Sequence, residues 1–263
     1  MTSVAPLIGC RIHAHGEVSS TQTVLAALAS EGAPEGTVVT ARHQTGGRGR
    51  RGRRWWDAPG ESLLLSILLR PPIPPARVPQ LALVAGLAIT DALEAGAGVK
   101  ARIRWPNDVL VEGRKICGIL SETMSVDAGR VGHVILGIGL NVNQTAFPGE
   151  LEDRATSLRL VTGRAHEPDR LLSAVLEALD RRYRAWLAGG FACLRDEWRG
   201  RSRTTGERVR TPDGRFGVAV DVAEDGALLV DVGDGVTVRV VSGALGEELP
   251  EHAREVERDA ARH

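Results

Sequence analysis

Apolar residues along this chain follow two periods, and the switches between them mark its elements. In residues 20–31 (STQTVLAALASE), Val24, Leu25 and Leu28 stand at helical spacing behind Ser20 or Thr21 as N-cap, and Gly32 ends the segment. Residues 37–41 (TVVTA) are β-branched and predict a strand that ends in a loop from residue 42. Residues 62–69 (SLLLSILL) read as a buried strand stopped by Pro71, Pro72, Pro74 and Pro75, and residues 77–95 then carry a long helical pattern. Strands are predicted at 101–105, 109–111, 116–124 and 131–142, with turns at 106–108, 112–113 and 127–129. Helix returns over 167–188, where Leu171, Leu172, Val175, Leu176 and Leu179 share a face, and again near 191–199.

This order predicts an α+β domain over residues 1–203, with a mixed, largely antiparallel sheet rather than a doubly wound one. After residue 203 short strands at 207–210, 217–222, 227–232 and 236–241 alternate with Asp-Gly turns, which suits a small β-barrel over 204–247. Residues 248–263 are charged without an apolar face and read as a frayed tail.

With 263 residues, 43% of them hydrophobic, the chain can bury a full core. Its 33 basic residues balance 33 acidic ones, so no overall field draws it to nucleic acid or an anionic membrane, and any anion site must be local. The start (MTSVAPLIGC) lacks a signal-peptide pattern and no run of about 18 apolar residues occurs, so a cytoplasmic location is expected. Cys10, Cys117 and Cys193 show no metal-ligand spacing and read as reduced, buried small groups. Arginine is used almost throughout: only Lys100 and Lys115 are lysine, and only Asn107, Asn141 and Asn143 are asparagine. A retained lysine or asparagine therefore invites attention where position supports it.

Three segments carry candidate chemistry. Residues 46–55 (GGRGRRGRRW) interleave four glycines with Arg48, Arg50, Arg51, Arg53 and Arg54. Glycine lets backbone amides approach a ligand, and guanidinium groups grip phosphate or carboxylate, so the segment reads as an anion-binding loop. The rival reading is an RGG-like nucleic-acid tail, but the run lies between two strands and aromatics make up only 3% of the chain. Residues 104–122 (RWPNDVLVEGRKICGILSE) present Asn107 and Asp108 at a proline turn, with Lys115 opening the next strand, where an ammonium can stabilise charge developing at a phosphate. An ordinary solvated lysine and a turn-capping Asn-Asp pair are the plain alternatives. Residues 137–143 (GIGLNVN) suggest a strand on which a backbone or flat ring packs closely, with the Asn141 amide able to pair with a base edge.

These segments, in this order, resemble the biotin protein ligase family over nearly the whole chain. The family pattern is matched by Ser20, Thr21 and Gln22, by Gln44 with residues 47–55, by WPND and KxxGIL at residues 105–108 and 115–120, and by GxGxN at 137–141. Gln22 stands where the family usually has Asn, and Arg104 where it has Lys. The resemblance implies a class II synthetase-like catalytic domain followed by an SH3-like barrel. It implies biotin binding by Ser20, Thr21, Gln22, Gln44, Arg48, Gly49, Arg50, Lys115 and Gly118. It implies nucleotide binding by Arg50, Arg53, Trp55, Asn107, Asp108, Lys115 and Asn141, with Lys115, Arg50 and Arg53 nearest the chemistry. The implied reaction uses biotin, ATP and Mg2+ to form biotinyl-AMP and then biotinylates a lysine on the biotinyl domain of a carboxylase (biotin carboxyl carrier protein). Metal ligands are not read from the sequence. Nothing before residue 10 reads as a helix-turn-helix, so a ligase without a DNA-binding domain, a monomer or homodimer acting on neither nucleic acid nor membrane, is expected. A lipoate or octanoyl ligase is the nearest alternative, and the arginine loop with the terminal barrel favours biotin.

Overall fold

The computed structural model describes residues 5–127 and 129–241. Its first strand, β1 (Arg11–Val18), is not announced by any apolar run: RIHAHGEV is mostly exposed because β1 is a sheet edge. Helix α1 (Thr21–Ser30) follows with Ser20 as N-cap, as its spacing predicts. Strand β2 (Thr37–Gln44) runs three residues past the expected end at residue 41, since parallel pairing with β1 continues to Gln44. Arg42, His43 and Gln44 are thus held by the sheet rather than by a loop.

Strand β3 (Ser62–Leu69) has the predicted bounds. The proline run then makes one 3-10 turn, Pro75–Arg77, and delays α2 (Gln80–Ala97) by three residues relative to expectation, because successive prolines lack the N–H a helix needs. Strands β4 (Arg102–Arg104), β5 (Asp108–Val111), β6 (Arg114–Asp127) and β7 (Arg130–Asn141) form an antiparallel meander. A short helix absent from the sequence reading, α3 (Leu158–Thr162), is capped by the Ser157 hydroxyl accepting from Leu160 N. Helices α4 (Pro168–Gly189) and α5 (Arg195–Arg201) complete the large part.

The seven strands lie in the order β1-β2-β3-β7-β6-β5-β4, and every pairing except β1 with β2 is antiparallel. The α+β expectation holds. Leu63, Leu65, Ile67 and Leu69 of β3 and Val134, Leu136, Ile138 and Leu140 of β7 face the main core with residues of α2 and α4. Helix α1 covers the opposite face, packing Leu25 and Ala29 on Val39, Leu68 and Ile135. Residues 75–97 are long and apolar enough to cross a membrane, but 78% of that stretch is buried inside the protein.

Where the sequence predicts a small β-barrel, β8 (Arg208–Arg210), β9 (Phe216–Val222), β10 (Leu228–Asp231) and β11 (Thr237–Val240) pair as a four-stranded antiparallel sheet. Val209, Ala219, Val222, Leu228 and Val230 join the main core, and Trp105 Nε1 donates to Gly226 O at 3.0 Å. The expected tail lies outside the described residues.

Only Cys117 is buried as the sequence predicts; Cys10 and Cys193 are exposed. Cys10 lies in the turn before β1, and Cys193 in a 3-10 turn after α4 that buries Phe191 and Leu194 instead. Away from the sheet, Asp91 on α2 accepts from Arg181, Arg182 and Arg201. Burial alone would raise its pKa, but the hydrogen bonds from Arg182 and Arg201 outweigh it and hold the carboxyl down at about 2.

Candidate active site

On the α1 face of the sheet, residues directly paired across strands form rows. Ser66, Gly137 and Leu120 make one row, and Leu64, Gly139 and Gly118 the next. The glycines are where the sheet has been cleared. A Cβ at Gly139 would lie 2.5 Å from Trp55 Cε2, and one at Gly118 would lie 2.8 Å from Trp55 Cζ3, so the Trp55 indole rests directly on this glycine pair. At Gly137 the same atom would meet the Gln22 amide at 2.9 Å. The flat ring expected over the GIG strand is therefore supplied by the protein's own loop.

That loop, without apolar period, is an ordered hairpin. Trp55 N donates to Gly47 O at 2.9 Å and Gly49 N to Arg53 O at 2.7 Å, with an antiparallel bridge between Arg48 and Arg54. Its tip is one 3-10 turn, Arg50–Gly52, in which Arg51 takes the left-handed conformation with φ 59°. Its base is closed by Asp57, which bonds His43 Nδ1 at 2.8 Å and accepts from Gln44 N at 3.3 Å.

Lys115 owes its direction to a bulge. Leu110 pairs with Lys115 while the neighbouring Val109 pairs with Cys117, so one extra residue enters β6. Consecutive Ile116 and Cys117 consequently both sit in the core, and Lys115 turns the other way. Its Nζ lies 2.6 Å from Asp108 Oδ1, off the angle of a hydrogen bond, and 5.6 Å from the Trp55 ring centre. Its backbone is tied to residues 154–156: Lys115 N donates to Arg154 O and Thr156 N to Lys115 O. Burial drives the Cys117 thiol pKa up, leaving it a core group.

A narrow cleft is lined by Thr21, Gln22, Gln44, Arg48, Gly49, Arg50, Trp55, Asn107, Lys115 and Gly118, ten of the sequence-derived candidates. The remaining four candidates stand outside this lining. Ser20 caps α1, Arg53 is exposed on the hairpin, Asp108 pairs with Lys115, and Asn141 is buried. The Asn141 amide donates to Thr156 O and accepts from Gln144 Nε2, so it holds the 154–156 segment beside Lys115.

The two ends of the cleft differ in charge. One end holds uncharged amides and hydroxyls: Thr21 N and Oγ1 both donate to Gln44 Oε1, at 2.8 and 3.1 Å, and Gln22 Nε2 donates to Leu120 O. The other holds cations. Arg50 donates to Asn107 Oδ1 at 3.2 Å and Lys115 stands with Asp108, while Arg48 pairs with Glu122 at 3.1 Å, two residues along β6 from Leu120. Burial, helped by Arg51 and opposed by Asp108, pushes the Arg50 guanidinium below its ordinary pKa. Trp55 Nε1 is buried without a hydrogen-bond partner among the described residues. Among those residues no three His, Cys, Asp or Glu side chains converge as metal ligands.

Sequence reading missed Ser66, Glu122, Asp57 and the 154–156 segment. Ser66 and Glu122 did leave a signal, each being a polar residue in a largely apolar strand.

Residues 16–141 match the model of the biotin/lipoate A/B protein ligase family, and residues 205–244 that of the biotin protein ligase C terminal domain. The chain is 38% identical over 236 residues to the biotin–[acetyl-CoA-carboxylase] ligase of Mycobacterium tuberculosis, covering 86% of this chain and 85% of that one. The chain belongs to the biotin protein ligase family. Its similarity to the bifunctional ligase/repressor BirA of Bacillus subtilis is 39% over 235 residues, covering 88% of this chain and 72% of the relative. Among solved structures of the family, the biotin protein ligase from Aquifex aeolicus in complex with biotin and ATP superposes with a TM-score of 0.77 at 30% identity, covering 89% of this chain and 97% of that one.

Proposed function

We propose that this family member activates biotin with MgATP to biotinyl-5'-AMP and pyrophosphate, then transfers the biotin to a lysine of an acceptor domain. The observation that carries the reading is the cleft's asymmetry: an uncharged polar end suits a neutral cyclic urea, and the end with Arg50 and Lys115 suits a carboxylate beside phosphate. Thr21, Gln22 and Gln44, with Ser20 supporting the turn, hold the ring. Arg48, Gly49 and Gly118 receive the carboxyl end. Arg50, Arg53 and Lys115 neutralise phosphate charge, while Asn107, Asp108 and Asn141 organise the nucleotide side and Trp55 packs against the ligand.

In the first step a biotin carboxylate oxygen bonds to the α-phosphorus and the bond to pyrophosphate breaks. Lys115 and Arg50 stabilise the charge that builds on the phosphoryl oxygens. Mg2+ bound to the nucleotide would add to this neutralisation of phosphate charge. In the second step the acceptor amine bonds to the anhydride carbonyl and AMP leaves. Asp108 is placed to take the proton once the phosphate competes for Lys115. The hairpin, ordered over the adenylate, keeps water from it.

The same reading takes residues 1–203 as the catalytic unit, 204–247 as a C-terminal unit and 248–263 as a tail, with a carboxylase biotinyl domain as acceptor. Free thiols and ATP as substrate accord with a cytoplasmic enzyme. Biotin-dependent exchange of label between pyrophosphate and ATP tests it; exchange supported by lipoate but not by biotin overturns it.

A further inference from the structure

The hydroxyl of Ser66 on β3 is fully buried, and its one partner among the described residues is the Thr21 hydroxyl, 2.8 Å away. Two hydroxyl protons must be placed here. Thr21 Oγ1 has an acceptor in Gln44 Oε1 at 3.1 Å, whereas Ser66 has an acceptor only in Thr21. The single arrangement that uses both protons runs from Ser66 to Thr21 to Gln44. Thr21 N–H also donates to Gln44 Oε1, at 2.8 Å, so the amide carbonyl is saturated from the α1 side. The Gln44 NH2 is then the half of the amide left for the cleft, where it can only donate.

We propose that Ser66 is a positioning residue that, through this one-way relay, fixes the Gln44 amide as a donor and so selects a ligand presenting a neutral carbonyl oxygen at the inner end of the cleft. The proposal rests on the biotin reading of that cleft. Its consequence is discrimination between biotin, whose urea oxygen accepts, and 2-iminobiotin, whose protonated nitrogen donates. Removing the relay's first donor frees the Thr21 hydroxyl to turn from Gln44 and leaves the amide held by the Thr21 N–H alone, so its donor half is less firmly aimed at the cleft.

Steady-state adenylation with each ligand tests the relay in Ser66→Ala and in Ser66→Cys, which is nearly isosteric and a weaker donor. For Ser66→Ala the expectation is a rise of about tenfold in KM for biotin with kcat and KM for ATP unchanged. The preference for biotin over 2-iminobiotin should shrink several-fold, with Ser66→Cys falling between. A merely structural role would weaken both ligands alike. An unchanged KM for biotin, or a raised KM with the ligand preference preserved, overturns the relay. Absence of biotin-dependent exchange in the wild-type protein instead overturns the proposed function.

Discussion

The two faces of the central sheet are made from the same strands and have been composed in opposite ways. In β7, Val134, Leu136, Ile138 and Leu140 fill one side, while Ile135, Gly137, Gly139 and Asn141 look to the other. In β3 the corresponding contrast sets Leu63, Leu65, Ile67 and Leu69 against Ser62, Leu64, Ser66 and Leu68. Large side chains on the first face gain stability by burial and close packing. On the second face the volume has been removed at the glycine pair, and the Trp55 hairpin occupies it. Part of the surface that could have stabilised the fold has thus been given to a loop that lines a ligand cleft. The same alternation that divides apolar from small residues also divides folding from catalysis.

The contrast is broken most sharply on the ligand face. Lys115→Ala should lower biotin-dependent pyrophosphate exchange about 10³-fold, about 4 kcal/mol of transition-state stabilisation, with a smaller loss in biotin affinity by calorimetry. Thermal unfolding of that variant should stay near wild type, because the side chain is outside the core. The mirror experiment is Leu136→Ala, one residue from Gly137 but on the core face. It should cost about 3 kcal/mol in urea unfolding, while exchange activity per folded molecule is kept. Equal losses of stability and activity in both variants would remove the division between the faces.

A charge buried on the core side sharpens the comparison. The Asp91 side chain is only 12% exposed and is held by three arginines, with its folded pKa depressed to about 2 from an ordinary 3.8. A depressed carboxyl contributes its stability above the unfolded pKa and loses it as pH falls through the folded one. Stability should therefore drop between about pH 4 and 2, by roughly 1–2 kcal/mol after allowing for solvent screening, and Asp91→Asn should abolish that step in acid unfolding curves. The smallest effect belongs to the hairpin tip. Arg51→Gly should stabilise the fold by about 0.5 kcal/mol, since glycine adopts φ 59° without strain, and should leave exchange unaltered within about twofold.

Much of this organisation was legible in the residues. The leucine-rich strand β3, the β4 to β7 meander and α4 were predicted to within about three residues because period and turn chemistry are local properties. The arginine hairpin and the Lys115 strand were singled out by residue type alone. Strand β1 was not legible: an exposed edge needs no apolar alternation, and its pairing with β2 across residues 19–36 leaves no mark in its own composition. Nor was the length of β2, which depends on that same partner.

What the sequence by itself determined is the sheet-and-helix order, the small C-terminal β unit and the chemical content of the cleft, through patterns set by neighbours a few residues apart. Only the tertiary structure decided how that content is aimed. The Trp55 ring on Gly118 and Gly139 and the path from Ser66 through Thr21 to Gln44 join residues 23 to 84 positions apart, and the bulge that turns Lys115 from the core is set by the register of β5 on β6. Such contacts depend on strand register and on which face each residue meets, and these are settled only when the whole sheet closes on its helices.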